Sequence, residues 1–160
     1  MTALSLYFRL DGEMVTFDVA PETTLGQLLG LPIGCGEGVC GACTVAVDGV
    51  PVRSCLMLAV QAEGCDVATL RSLARIEGAA VDDGGLTPLQ RALSDHHAFQ
   101  CGWCVPGLLV GTACRIAGRT QLSDREINEH LLGHLCRCAA SAGVADAIRD
   151  VFSARREGAR

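Results

Sequence analysis

Gly34-Cys-Gly-Glu-Gly-Val-Cys-Gly-Ala-Cys43 sets three cysteines at spacings of four and two residues in a run where almost every other position is glycine. A thiolate that ligates a metal still accepts hydrogen bonds. Glycine tolerates the left-handed dihedrals that turn backbone N–H groups inward towards such an acceptor. The composition therefore describes a cage, with cysteines as ligands and glycines aiming the amides. A fourth thiol is at hand, because Cys55 follows Cys43 after eleven residues. The intervening Thr44-Val-Ala-Val47 and Val50-Pro-Val-Arg53 read as strands closing on the turn signal Asp48-Gly49. That hairpin would return the chain to the loop and deliver Cys55 to Cys35, Cys40 and Cys43.

Upstream of the loop, Leu4–Leu10 and Met14–Val19 alternate apolar and polar residues around Asp11-Gly12, a further hairpin. Thr24-Leu-Gly-Gln27 has the form of a capping box and opens a short helix that stops near Gly30. Downstream, Val67 to Ala74 reads as a last strand running into a helical turn, after which Glu77 to Gly85 loses all periodicity. Two hairpins around one helix predict a small mixed-sheet α+β domain over residues 1–77, followed by a linker over 78–85.

Beyond the linker the periodicity is helical, which predicts a four-helix domain over 86–160. Thr87-Pro-Leu-Gln90 and Ser123-Asp-Arg-Glu126 are capping boxes, the first with proline at the first helical position. Apolar spacing predicts a helix from Pro106 to about Ala117, stopped by Gly118, and a last one from about Val144 to Phe152. A second cysteine group lies among these helices: Cys101-x2-Cys104, then thirty-one residues, then Cys136-x-Cys138. Both pairs come just before predicted helices, so helix N-termini would turn partial positive charge towards an anionic centre.

Composition narrows the function. A net charge of −5 gives no electrostatic reason to bind nucleic acid or an anionic membrane face. No stretch approaches the roughly 20 apolar residues of a spanning helix, and Met1–Met14 has no basic start followed by an apolar core. The expectation is a soluble, cytoplasmic protein whose ten cysteines are not a secretory disulfide scaffold. With 49% hydrophobic and only 4% aromatic residues, the cores must be aliphatic and the partners should be proteins met through apolar surface.

The spacing of Cys35, Cys40 and Cys43 is that of plant-type ferredoxins, which carry a 2Fe-2S cluster. The rival is zinc, which also takes four thiolates and would make the chain a structural module. Structural zinc sites usually present two C-x2–4-C knuckles, which the first group lacks. Cys65 and Cys114 fall outside both groups and read as small apolar residues.

Taken together, the chain resembles the iron–sulfur subunit of the molybdenum hydroxylases, the family of xanthine dehydrogenase, aldehyde oxidoreductase and carbon monoxide dehydrogenase. The match runs through Cys35-Gly-Glu-Gly-Val-Cys-Gly-Ala-Cys-Thr-Val45, Ser54-Cys55-Leu56, Pro88-Leu-Gln90, Gln100-Cys-Gly-Trp-Cys-Val-Pro-Gly107 and Leu135-Cys-Arg-Cys138. The resemblance implies a plant-ferredoxin-like β-grasp domain with one 2Fe-2S cluster on Cys35, Cys40, Cys43 and Cys55. A helical domain would carry the other on Cys101, Cys104, Cys136 and Cys138. It further implies that Gln100 and Cys138 lie against the molybdopterin of a large subunit, and that a medium subunit carries FAD. The assembly would be a heterotrimer or a dimer of heterotrimers. The subunit itself would perform no substrate chemistry and would relay electrons from molybdenum to flavin or an external acceptor. A reductive enzyme of the same family would run them the other way, towards an aromatic acyl-CoA. The alternative class is a free-standing ferredoxin-type carrier.

The sequence departs from the family pattern at one place. Asn-x-Cys-Arg-Cys-Thr-Gly-Tyr is replaced by His134-Leu-Cys-Arg-Cys-Ala-Ala-Ser141, with loss of a hydroxyl, a glycine and an aromatic beside the cluster. Because hydrogen bonds and exposure set cluster potentials, the inner potential is expected to differ. His134 is not needed as a ligand, since four cysteines fill the site. His96 and His97 read as packing or surface polar residues on a helix, and Trp103 as a packing residue. Arg137 stands between two thiolates, in a solvated or a tuning role.

Overall fold

The computed structural model describes residues 3–119, 121–138 and 141–158. Ala139 and Ala140, two of the three departures after Cys138, lie outside them, as does the side chain of Ser141.

Strands β1 (Leu4–Leu10) and β2 (Glu13–Val19) form the expected antiparallel hairpin, pairing Leu4 with Val19 through to Leu10 with Glu13. Its turn is left-handed at both Asp11 (φ 52°) and Gly12 (φ 97°), which matches the right-handed twist of the strands it joins. Strands β3 (Thr44–Val47) and β4 (Val50–Arg53) repeat the arrangement around Asp48 and Gly49. Strand β5 (Asp66–Ala68) joins the two hairpins, parallel to β1 and antiparallel to β3. The result is one mixed sheet in the order β2-β1-β5-β3-β4. The carboxylate of Asp11 accepts both the N–H and the hydroxyl of Thr69 at 2.7 Å, tying the first turn to the end of β5.

Helix α1 (Leu25–Leu28) starts at the Thr24/Gln27 capping box and closes one face of the sheet. Between them lies a core of Leu6, Phe8, Leu25, Val45 and Val67, with Phe8 and Phe17 rings 5.6 Å apart. Burying Phe8 completely contributes roughly 2–3 kcal/mol by area.

The remaining helices are α2 (Leu73–Glu77), α3 (Pro88–Asp95), α4 (Val105–Ile116), α5 (Asp124–Leu132) and α6 (Ser141–Gly158). They share a second aliphatic core that includes Leu89, Leu109, Ile116, Ile127, Ile148 and Phe152. Both anticipated capping boxes are formed, at Thr87/Gln90 and Ser123/Glu126. Helix α6 runs well beyond the expected Val144–Phe152. Its C-terminal extension carries charge rather than apolar periodicity and is held by a polar contact, Arg155 donating to the Ile116 carbonyl at 3.0 Å, while Arg149 within the expected span pairs with Asp124 and Asp146.

Residues 78–85, read as a linker, carry no helix or strand and are ordered by side-chain contacts. Asp82 accepts from the N–H groups of Gly84 and Leu86 and from Arg91. Glu77 is buried, and its carboxylate accepts the Leu89 N–H at 3.2 Å in the first turn of α3. Leu73 and Glu77 thus pack with the helices that follow them.

Helix α4 lies against the sheet through small residues. Val110 meets Ala46 of β3 and Ala68 of β5. A methyl group on Gly107 would sit 2.1 Å from the Gly41 carbonyl oxygen and 2.5 Å from that of Ala42. Only glycine lets the helix backbone approach the first cysteine loop this closely. Among the described residues, no helix is long and apolar enough to cross a membrane.

Candidate cluster sites

The first cysteine loop takes its shape from glycines in left-handed conformation, Gly36, Gly38 and Gly41. These turns aim the backbone N–H groups of Glu37 and Cys40 at Cys35 Sγ, at 3.3 and 3.4 Å. The two bonds, the Cys40 one foremost, favour the thiolate and lower the exposed Cys35 thiol to about 6. The Cys40 thiol also donates to it. Cys55 follows the β3–β4 hairpin, and its thiol donates a hydrogen bond to Cys43. Both are buried, and desolvation, reinforced by Cys43, raises the Cys55 thiol. Ser54 Oγ donates to the Cys43 carbonyl at 2.7 Å and fixes the return.

The second group converges from two helical connections. Gly102 is left-handed (φ 79°), and Cys104 is the residue that starts α4. Cys101 pairs with Cys138, whose thiol donates to it, and its pKa is lowered, chiefly by the Trp103 N–H and then by that thiol. Cys104 pairs with Cys136 and is pushed up to about 11 by burial and by the neighbouring sulfur. Gln100, Cys101, Cys104, Cys136 and Cys138 line one largely apolar cavity, with Gln100 exposed at its edge.

The eight thiols are thus grouped as Cys35 with Cys40, Cys43 with Cys55, Cys101 with Cys138 and Cys104 with Cys136. None of the ten cysteines, all within the described residues, is in a disulfide. Four thiols at each of two places match the ligand number of a 2Fe-2S cluster, which takes two thiolates on each iron.

The two loops touch. Leu135 N–H donates to the Cys40 carbonyl at 2.9 Å, so a residue next to Cys136 bonds to a cysteine of the other group. Arg53, which sequence reasoning passed over as the end of a strand, donates to Gly133 O at 2.5 Å, to Gly38 O at 3.3 Å and to the Thr44 hydroxyl. It clasps the first loop to the segment that carries Cys136 and Cys138. An arginine two residues before Cys55 was visible in the sequence, but its partner eighty residues away was not.

Two family models match. One for a 2Fe-2S iron–sulfur cluster binding domain covers residues 8–68, and one for a 2Fe-2S binding domain covers residues 75–149. The chain is 44% identical to the caffeine dehydrogenase subunit gamma of Pseudomonas sp. (strain CBB1), over 94% of this chain and 92% of that protein. It is 36% identical to the xanthine dehydrogenase iron-sulfur-binding subunit of Escherichia coli O157:H7, over 88% and 89% respectively. Among solved structures, a chain of quinoline 2-oxidoreductase from Pseudomonas putida 86 superposes with a TM-score of 0.84 at 37% identity, covering 99% of both chains. The chain belongs to the iron–sulfur subunits of the molybdenum hydroxylases. The resemblance carried by the cysteine motifs is therefore borne out. This iron–sulfur subunit is an electron-transfer component of an oxidoreductase of the xanthine dehydrogenase type.

Other residues singled out in the sequence take definite places in the subunit. Trp103 is not a buried packing residue: it is 58% exposed and lies beside Gly34 of the first loop. His96 caps the end of α3 and pairs with Asp150 of α6 at 2.6 Å, a partner the sequence did not reveal. His97 follows in left-handed conformation (φ 48°), past the helix on which it was expected. Arg137 is exposed. Cys114 is half-buried in α4 with its thiol raised to about 11 by desolvation, the behaviour of an apolar residue. Cys65 packs against the sheet core.

Proposed function

We propose that this subunit holds two 2Fe-2S clusters. Cys35, Cys40, Cys43 and Cys55 ligate one in a β-grasp domain over 1–77. Cys101, Cys104, Cys136 and Cys138 ligate the other in a four-helix domain over 86–160, with 78–85 between them and α2 reaching across. The observation that carries this reading is the convergence of Cys101, Cys104, Cys136 and Cys138 on one cavity and the return of Cys55 to the first cysteine loop, within the two stretches matched by 2Fe-2S domain models. When bound, the clusters supply one-electron redox steps.

The protein's own residues hold and surround these centres. The N–H groups of Glu37 and Cys40 stabilise charge on Cys35 Sγ. The aliphatic walls beside Cys104 and Cys136 limit water. The Leu135–Cys40 hydrogen bond brings the loops together so that electrons pass from one to the other. Gln100 and Cys138, together at the rim of the second site, face the molybdopterin of a large subunit, and the exposed Cys35 loop faces a medium subunit that carries FAD. The assembly is a cytoplasmic heterotrimer or a dimer of heterotrimers. Relatives from caffeine and xanthine dehydrogenases support these partners.

The test is Cys138→Ser in the purified complex. The variant is expected to lose or alter the spectrum of the second cluster and to keep that of the first. Loss of the first cluster with the second intact would show the pairing to be wrong. A stable monomer of the chain's 16.7 kDa in native extracts would favour the free-standing carrier instead.

A further inference from the structure

The three residues Gly133, His134 and Leu135 each engage the first cysteine loop. Gly133 O accepts from Arg53, and Leu135 N–H donates to Cys40 O. Between these two bonds the His134 ring enters the seam. A methyl group on Gly41 would sit 2.7 Å from His134 Cδ2, and one on Gly111 would sit 2.9 Å from His134 Nε2. The ring is therefore gripped between a glycine of the first loop and a glycine of α4. Nδ1 lies 3.2 Å from the His130 carbonyl, and the His130 ring backs it at 4.8 Å between centroids, itself held by Thr112 Oγ1 at 2.9 Å. Nε2 is buried and has no hydrogen-bond partner. Its place is fixed by packing on both faces and by polar contacts with the backbone of His130 and Gly107, so the ring acts as a spacer.

We infer that His134 is a positioning residue that sets the separation of the two cysteine loops, and with it the coupling between the centres they hold. The inference rests on the proposed two-cluster reading. Neither glycine can be replaced without displacing the imidazole. The loops are pulled together by the Arg53 and Leu135 bonds, and the imidazole resists that pull. Removing it lets the loops close or tilt while all eight thiols remain, so cluster content should survive where cluster spacing does not.

The experiment compares the purified complex with His134→Ala, His134→Asn, Gly111→Ala and the double variant His134→Ala/Gly111→Ala. Iron and sulfide are measured first. Low-temperature electron paramagnetic resonance of the fully reduced protein then reads the magnetic interaction between the clusters. His134→Ala is expected to keep the wild-type iron content and both signals while changing the spin–spin splitting and slowing transfer between clusters. His134→Asn keeps a donor for the His130 carbonyl but not the full ring, and should fall between. Gly111→Ala alone should also change the splitting. In the His134→Ala background its methyl group occupies vacated space, so the two effects should be non-additive. Unchanged splitting in His134→Ala, or strictly additive effects, would overturn the inference. If His134→Ala does not assemble, unchanged splitting in Gly111→Ala overturns it equally. A wild-type complex with no reducible clusters would sink the underlying reading as well, a result separate from any change confined to the variants.

Discussion

Replacing Gly107 by alanine tests the seam between the two halves of the subunit. The new methyl group would lie 2.1 Å from Gly41 O, 2.5 Å from Ala42 O and 2.7 Å from the Ala42 carbonyl carbon. All three are backbone atoms, so no side chain can swing aside and α4 must retreat from the first cysteine loop. Overpacking of this kind typically costs about 1–3 kcal/mol, and contacts this short place Gly107→Ala at about 3 kcal/mol. Alanine returns about 1 kcal/mol through its better helix propensity. The net loss of about 2 kcal/mol corresponds to a Tm lower by about 4–8 °C for a chain of this size. Thermal unfolding of the holo-protein, followed by calorimetry and by the visible circular dichroism of the clusters, measures it. A Tm equal to or above that of the wild type would refute the claim that helix and loop meet backbone to backbone.

Arg53→Ala removes donors to Gly38 O, Thr44 Oγ1 and Gly133 O and leaves carbonyls in the seam unpaired. It should cost about 2 kcal/mol in denaturant unfolding, and Arg53→Lys should recover only part, because one ammonium cannot span the three acceptors. Glu77 has its proton affinity raised by burial, against opposing bonds from Thr87 and Leu89 and the charge of Arg155. Its contribution to stability is therefore full below the ordinary carboxyl value of 4.5 and is lost as pH rises through the elevated folded-state value. Glu77→Gln should abolish that increment, seen as a smaller fall in stability from acid to neutral pH than the wild type shows. Parallel pH profiles for the two proteins would contradict it.

Much of the fold was legible because its signals are local. Asp11-Gly12 and Asp48-Gly49 demand left-handed turns, and Thr24/Gln27, Thr87/Gln90 and Ser123/Glu126 satisfy helix ends within four residues. The cysteine groups were legible for the same reason, since three of four members of the first lie in one short loop. What escaped depends on partners distant in sequence. The Arg53 clasp, the His96–Asp150 pair and the burial of Glu77 beneath α3 all join residues that no window places together. The C-terminal extension of α6 escaped because a polar contact, from Arg155 to the Ile116 carbonyl, holds it where apolar periodicity is lacking. Gly107 stood in the sequence only as the end of a cysteine motif, and Gly111 only as a glycine within an apolar run. Their purpose is visible once the loop and His134 lie against them.

The most direct measurement is metal and sulfide analysis of the purified complex, combined with electron paramagnetic resonance after stepwise reduction. The account predicts iron and acid-labile sulfide sufficient for two 2Fe-2S clusters per copy of this chain, and two distinguishable paramagnetic signals. Zinc in place of iron, or a single signal that survives removal of either cysteine group, would contradict it.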